Sequence, residues 1–238
     1  MKSFLLPGIA VTLAILGATQ AFGGTVDFVT NFNAPNNPNA NSGFAYGSGS
    51  TPGAFTAFNA LAADANCLGA LSYCEGFLSA SFPNSPGVAW NATGSNIVSG
   101  TVNLPINVVH FDPQGQSIDI EYTAAAAGIF TVAATFTGED SSQHQIFTSV
   151  YANGVQQGST NSISSFGATQ TYSFSTTLAI GQKLDFIVTG AGPSWDSGGL
   201  SGTITTPGVT GTPEPATMAM LGGGLGVIAL YRRRRTGN

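Results

Sequence analysis

A chain of 238 residues with six bases and eleven acids carries a formal charge of −5. Lys2 and Arg232–Arg235 are five of the six bases, so between residues 24 and 212 Lys183 alone stands against ten acids. Such a surface repels phosphate backbones, which excludes nucleic-acid binding. Charged residues are only 7% of the chain, and Gly, Ser, Thr and Asn take their place, a composition common in secreted, turn-rich β-proteins. Sixteen phenylalanines supply the apolar area that a disordered chain lacks.

The N-terminus reads as an export signal. Lys2 precedes an apolar stretch from Phe4 to Leu16, and Gly17–Gly23 is a small-residue exit whose Ala21-Phe22-Gly23 fits cleavage before Gly24. With residues 1–23 removed, about 190 remain before the tail, enough for one well-buried domain.

From Val26 to Ser95 the pattern is loose. Asn33–Asn41, built of Asn, Pro and Ala, is a loop because its prolines and asparagines favour turns. Phe58, Leu61, Ala65 and Leu68 fall near helical spacing and predict one short helix near residues 57–68. Cys67 and Cys74 are the only cysteines, and in an exported chain two isolated cysteines more often pair than act. A local disulfide is expected, stabilising by roughly 2.5 kcal/mol in the chain-entropy model. A metal site there would need further ligands, and neither histidine is near in sequence.

Regular alternation begins at Val102. Val102–Phe111 predicts one strand, ending in the turn His110-Phe111-Asp112-Pro113-Gln114-Gly115. Ile118, Ile120 and Tyr122 alternate with Asp119 and Glu121, which predicts a strand with one wet face. Phe130–Phe136 alternates with Thr131–Thr137, and Asn153-Gly154 between Ile146–Tyr151 and Val155–Gly158 is a two-residue hairpin signal. Strands follow around Tyr172–Thr176, Leu184–Val188 and Gly202–Thr206. Seven or eight such strands make an all-β, antiparallel sandwich over residues 24–206, regular mainly over 102–206.

No local catalytic motif appears around His110 or His144, the only imidazoles. His110 reads as a turn or core residue and His144 as a solvated loop tip. Asp119 with Glu121, and Glu139 with Asp140, read as surface charge, although a glycosidase also needs two carboxylates. Sugar binding asks for flat aromatic faces ringed by amides and carboxylates. Trp90, Trp195 and Tyr151, with Asn153 and Asp196, are the candidates, the tryptophans reading equally as packing residues. Asp196, Asp112 and Asp140 are oxygen donors of the kind Ca²⁺ takes, but no D-x-D-x-D loop is present. No cofactor and no metal are expected.

After the linker 207–212, the tail sets three signals in a row: Pro213-Glu214-Pro215, an uncharged run from Ala216 to Tyr231, and Arg232, Arg233, Arg234 and Arg235. The prolines bias the chain to extended geometry. Residues 216–231 predict a transmembrane helix roughly 24 Å long, slightly short of a bilayer core of about 30 Å, and snorkelling arginines accommodate the difference. The arginines belong on the cytoplasmic side.

This tail, residues 213–238, resembles the PEP-CTERM sorting tail of Gram-negative surface proteins, through Pro213-Glu214-Pro215, the apolar run with Gly222, Gly223, Gly224 and Gly226, and the terminal arginines. The resemblance implies that an exosortase reads the tail and cleaves at or near the tripeptide. An inner-membrane intermediate then passes through the secretion machinery to the cell surface or exopolysaccharide matrix. Residues 104–206 are similar to the jelly-roll module found in such proteins, akin to carbohydrate-binding sandwiches. That likeness rests on His110-Phe111-Asp112-Pro113, Val150-Tyr151-Ala152-Asn153-Gly154, Leu184-Asp185-Phe186 and Asp196-Ser197-Gly198-Gly199-Leu200. It implies a jelly-roll-like sandwich and no catalytic residue. The expectation is a non-enzymatic exported protein engaging exopolysaccharide. A structural matrix component and a polysaccharide-acting enzyme are the alternatives.

Overall fold

The computed structural model describes residues 23–32, 37–39, 41–64, 74–78, 86–91, 93–192 and 196–208, with residues 60–64 and 74–78 described by their backbone alone. The signal segment, Cys67 with its expected disulfide, Trp195 and the tail lie outside the described residues. Among the described residues no helix is long and apolar enough to cross a membrane.

Everything regular in them is strand. In chain order these are β1 (Thr25–Asp27), β2 (Phe44–Ser48), β3 (Thr56–Ala57), β4 (Ala60–Asp64), β5 (Cys74–Leu78) and β6 (Gly87–Asn91). They continue with β7 (Ile97–Ser99), β8 (Val102–Leu104), β9 (Val109–Asp112), β10 (Ser117–Thr123), β11 (Gly128–Gly138) and β12 (Ile146–Ala152). The last are β13 (Val155–Gln156), β14 (Asn161–Ile163), β15 (Thr169–Leu178), β16 (Lys183–Gly190) and β17 (Gly198–Thr205).

Two antiparallel sheets form the sandwich. One runs β15-β11-β17-β9-β6-β5-β4, with β1 also on β17; the other runs β13-β12-β16-β10-β2-β3, with β14 on β12. Alternation fills the space between them: Phe130, Val132, Ala134 and Phe136 of β11 are fully buried, as are Ile118 and Ile120 of β10 and Phe186 and Val188 of β16. Aromatic rings lock the layers, Phe28 meeting Phe186 edge-on at 4.9 Å and Tyr122 of β10 meeting Phe130 of β11 edge-on at 6.2 Å. On the other side of β11 and β15 hydroxyls pair across the strands, Thr131 with Ser175 at 2.9 Å and Thr135 with Thr171 at 3.1 Å.

Three expectations need correction. The helix near 57–68 is absent from its described part: Thr56–Ala57 and Ala60–Asp64 are strands, and β4 pairs with β5. Sheet pairing overrides a weak helical spacing that spans too few turns to stand alone. Val102–Phe111 is two strands, β8 in a small ribbon with β7 and β9 in the large sheet. Pro105 lies between them, and a residue without an N–H cannot continue a ladder. Asp119 and Glu121 face no water: their exposures are 0% and 4%.

Candidate functional site

The register that buries Ile118, Ile120 and Phe186 turns their neighbours to the opposite face of the second sheet. One row there runs Tyr151, Asp185, Glu121, Ala45 across β12, β16, β10 and β2, and the next runs Ser149, Ile187, Asp119, Gly47. The segment after β2 folds back over these rows. Phe55 lies on Gly47, where a Cβ would come within 2.7 Å of its ring, and Pro52 and Gly53 face Lys183 and Asp185, two strands away from β2, across a cleft. This cover buries what the alternation pattern assigned to water.

Lys183 stands at the edge of the cover. Its Nζ donates to Glu121 Oε2 at 2.7 Å, with the lysine side chain 47% exposed and the glutamate nearly buried. A cleft of about 310 Å³ lies on one side, lined by Pro52, Gly53, Asn153, Gly154, Asp185 and Lys183 among others. A second, of about 500 Å³, is lined by residues including Ala45, Phe55, Glu121, Thr123 and Lys183. Burial, then the Glu121 charge, pushes Asp185 up to about 6 against the pull of Lys183. Burial, then Asp185 and Glu121, pushes Asp119 up to about 8, and neither of its oxygens has a hydrogen-bond partner among the described residues. Asp119 therefore holds its proton near neutrality, first because it is buried and then because three carboxyls share one cation.

Two further polar clusters are sealed. Asp196 Oδ2 accepts the Gly115 N–H at 2.9 Å, and Gln114 Nε2 donates to Asp112 Oδ2 at 2.7 Å. The two carboxyls are neighbours, and burial first, with Asp196 adding to it, pushes Asp112 up to about 7. Asp140, the third member of the calcium set considered above, lies elsewhere and takes Thr101 Oγ1 at 3.0 Å and the Ser142 N–H at 2.7 Å. His110 meets Glu139 Oε2 through Nδ1 at 2.7 Å and donates Nε2–H to Pro105 O at 2.9 Å. Burial pushes Glu139 up while His110 pulls it down. Glu139 and Asp140 are both 2% exposed, so neither is the surface charge expected.

Of the five candidate sugar-binding residues, two share a place. Tyr151 is half-buried and opposite Asp185, and Asn153 lines the smaller cleft from a hairpin turn with φ of +48° followed by Gly154 at +78°. Both signs suit the type I′ turn expected of Asn-Gly. Asp196 lies at the far end of β16, against Gly190. Trp90 packs against the core and donates Nε1–H to Ile106 O at 3.1 Å.

Residues 212–235 match the family model of the PEP-CTERM protein-sorting motif. The chain carries a PEP-CTERM tag. The match includes Pro213, Glu214, Pro215 and Arg232–Arg235. A PEP-CTERM motif implies an exported, surface-destined bacterial protein and exosortase processing. No curated protein matches the chain in sequence. Among solved structures it is similar to the CBM51-2 and INT domains of Clostridium perfringens ZmpB, at 12% identity and TM-score 0.33 over 47% of this chain. It spans only 25% of that chain. A family 35 carbohydrate-binding module from Clostridium thermocellum matches at 10% identity and TM-score 0.31, over 57% of this chain and 99% of that one. CBM51 from Clostridium perfringens GH95, in complex with methyl-galactose, matches at 10% and 0.31, over 63% and 95%.

Sequence reasoning missed the centre of the site. Lys183, Asp185 and Glu121 read as ordinary strand alternation in the PEP-CTERM-tagged chain. The signal that points to them is that the one base between residues 24 and 212 shares a strand face with Asp185, while a neighbouring strand alternates Asp119 with Glu121. Pairing β10 with β16 was the missing step.

Proposed function

We propose that this PEP-CTERM-tagged protein is non-enzymatic, is processed by exosortase and engages exopolysaccharide at the cell surface through the Lys183 site. The observation that carries the reading is the Lys183–Glu121 pair standing between two clefts, with Asp185 and Asn153 on one side and Phe55 on the other. Carboxylates accept from sugar hydroxyls, the ammonium and the amide donate to them, and the Phe55 ring offers an apolar face. Clefts of about 300 Å³ and above are of the size that small ligands occupy.

A glycan array probed with the exported protein tests this. Binding that falls at least tenfold in Lys183→Ala and Asn153→Ala supports the site. Binding lost in Trp195→Ala but kept in both of those variants moves it to the loop before β17. A bare array favours the purely structural role. Turnover of matrix polysaccharide that disappears in Glu121→Gln favours an enzyme, since Glu121 and Asp185 stand directly opposite on adjacent strands.

A further inference from the structure

Strand β15 ends the eight-stranded sheet. It is ten residues long, pairs with β11 on one side, and contains no charged residue and no proline. Alternate residues of such an edge turn N–H and C=O groups outward, where they form a template for another strand. Lysines, prolines and bulges are the usual protection, and β15 has neither of the first two along its length. The ladder to β11 runs unbroken from Gly128↔Leu178 to Thr137↔Thr169.

The core-facing side of this edge is closed at Tyr172 and Leu178 and incompletely covered beside them. On β11 the core-facing side chains are fully buried, whereas on β15 Gln170, Phe174 and Thr176 are only half-buried. A cleft of about 290 Å³ runs beside them, lined on one wall by Gln170–Phe174 and on the other by Gln157, Gly158, Ser159 and Asn161. An extended segment laid on β15 would satisfy the outward backbone groups and cover Phe174 together.

We propose that the segment is β15 of a second copy of this chain, antiparallel about a two-fold axis at Ser173. The strand is self-complementary in that register. Its exposed row, Thr169, Thr171, Ser173, Ser175 and Thr177, meets itself hydroxyl to hydroxyl, repeating the pairing that Ser175 and Thr171 make with β11. On the core-facing side the half-buried Phe174 of each copy comes opposite Tyr172 of the other, which is already buried with its hydroxyl on Thr148 O at 2.6 Å, so Phe174 is the ring that the contact covers. No like charges meet, because the strand has none. A two-fold contact of this kind closes on itself and uses one patch twice.

Sedimentation equilibrium of the exported protein reads the association, with a concentration-dependent dimer expected in the micromolar range that suits a small interface. Ser173→Lys places two ammonium groups opposite each other on the exposed row and is expected to leave a monomer. Should that variant misfold, Ser173→Cys gives an independent reading. Residues directly opposite in antiparallel strands have Cα atoms about 5.5 Å apart or less, inside disulfide range. Mild oxidation is expected to yield a dimer whose peptide map holds a 173–173 linkage, while Thr131→Cys on the neighbouring strand yields none. A monomer at every concentration, a dimer that survives Ser173→Lys, or equal trapping by both cysteine variants overturns the proposal.

Discussion

Raising the pH should weaken this fold, opposite to the behaviour of a protein held by ionised salt bridges. Asp119 titrates at 3.8 ordinarily and at about 8 in the folded state. A carboxyl whose folded pKa is raised contributes stability that is complete below its ordinary value and is lost as pH climbs through the folded one. At 1.36 kcal/mol for each pKa unit, full ionisation of Asp119 costs on the order of 5 kcal/mol, a large part of the usual 5–15 kcal/mol. Asp112, raised to about 7, and Asp185, raised to about 6, act in the same direction. Urea unfolding followed by tryptophan fluorescence, from about pH 5 to about pH 9, measures the slope. Asp119→Asn should flatten it and raise stability at the alkaline end, because the side chain no longer ionises beneath the cover. Stability that is level or rising across that window, or an Asp119→Asn variant no steadier than the parent at about pH 9, would refute the account of the buried face.

His110→Leu strands Glu139 without its partner and should cost about 3 kcal/mol or more, while His110→Leu with Glu139→Leu should recover much of it; chemical unfolding of the three proteins gives the cycle. Gly190→Ala puts a methyl where Asp196 Oδ2 lies, breaks its bond to Gly115 N–H, and should cost about 1–3 kcal/mol, read as a shift in urea midpoint. Mass spectrometry of the mature C-terminus from native cells should find it at or near Pro213–Pro215; an end that still holds Arg232–Arg235 refutes processing.

Alternation made the sandwich legible wherever strands were long. The strands predicted around Phe130–Phe136, Tyr172–Thr176 and Leu184–Val188 are β11, β15 and β16, and Asn153-Gly154 forms the expected hairpin. Before Val102 the strands are short, so β2 to β6 left no period to count. Burial of Asp119 depends on a segment that lays Phe55 over Gly47, the register partner of Asp119 on β2, and one strand's pattern cannot report what another segment lays over it. The His110–Glu139 pair joins residues 29 apart in sequence, again a matter of topology rather than of local composition. Tail chemistry needed no tertiary knowledge, since its three signals are contiguous.

The strand order has a consequence for timing. β17, the final described strand, is not at a margin: it fits between β11 and β9 and also carries β1. Chains emerge N-terminus first, so this sheet waits with a vacant middle until residue 205 is delivered, just ahead of the sorting motif at 212. Until then its two halves have no common backbone partner. Completion of the fold and presentation of the tag thus fall within the same few residues.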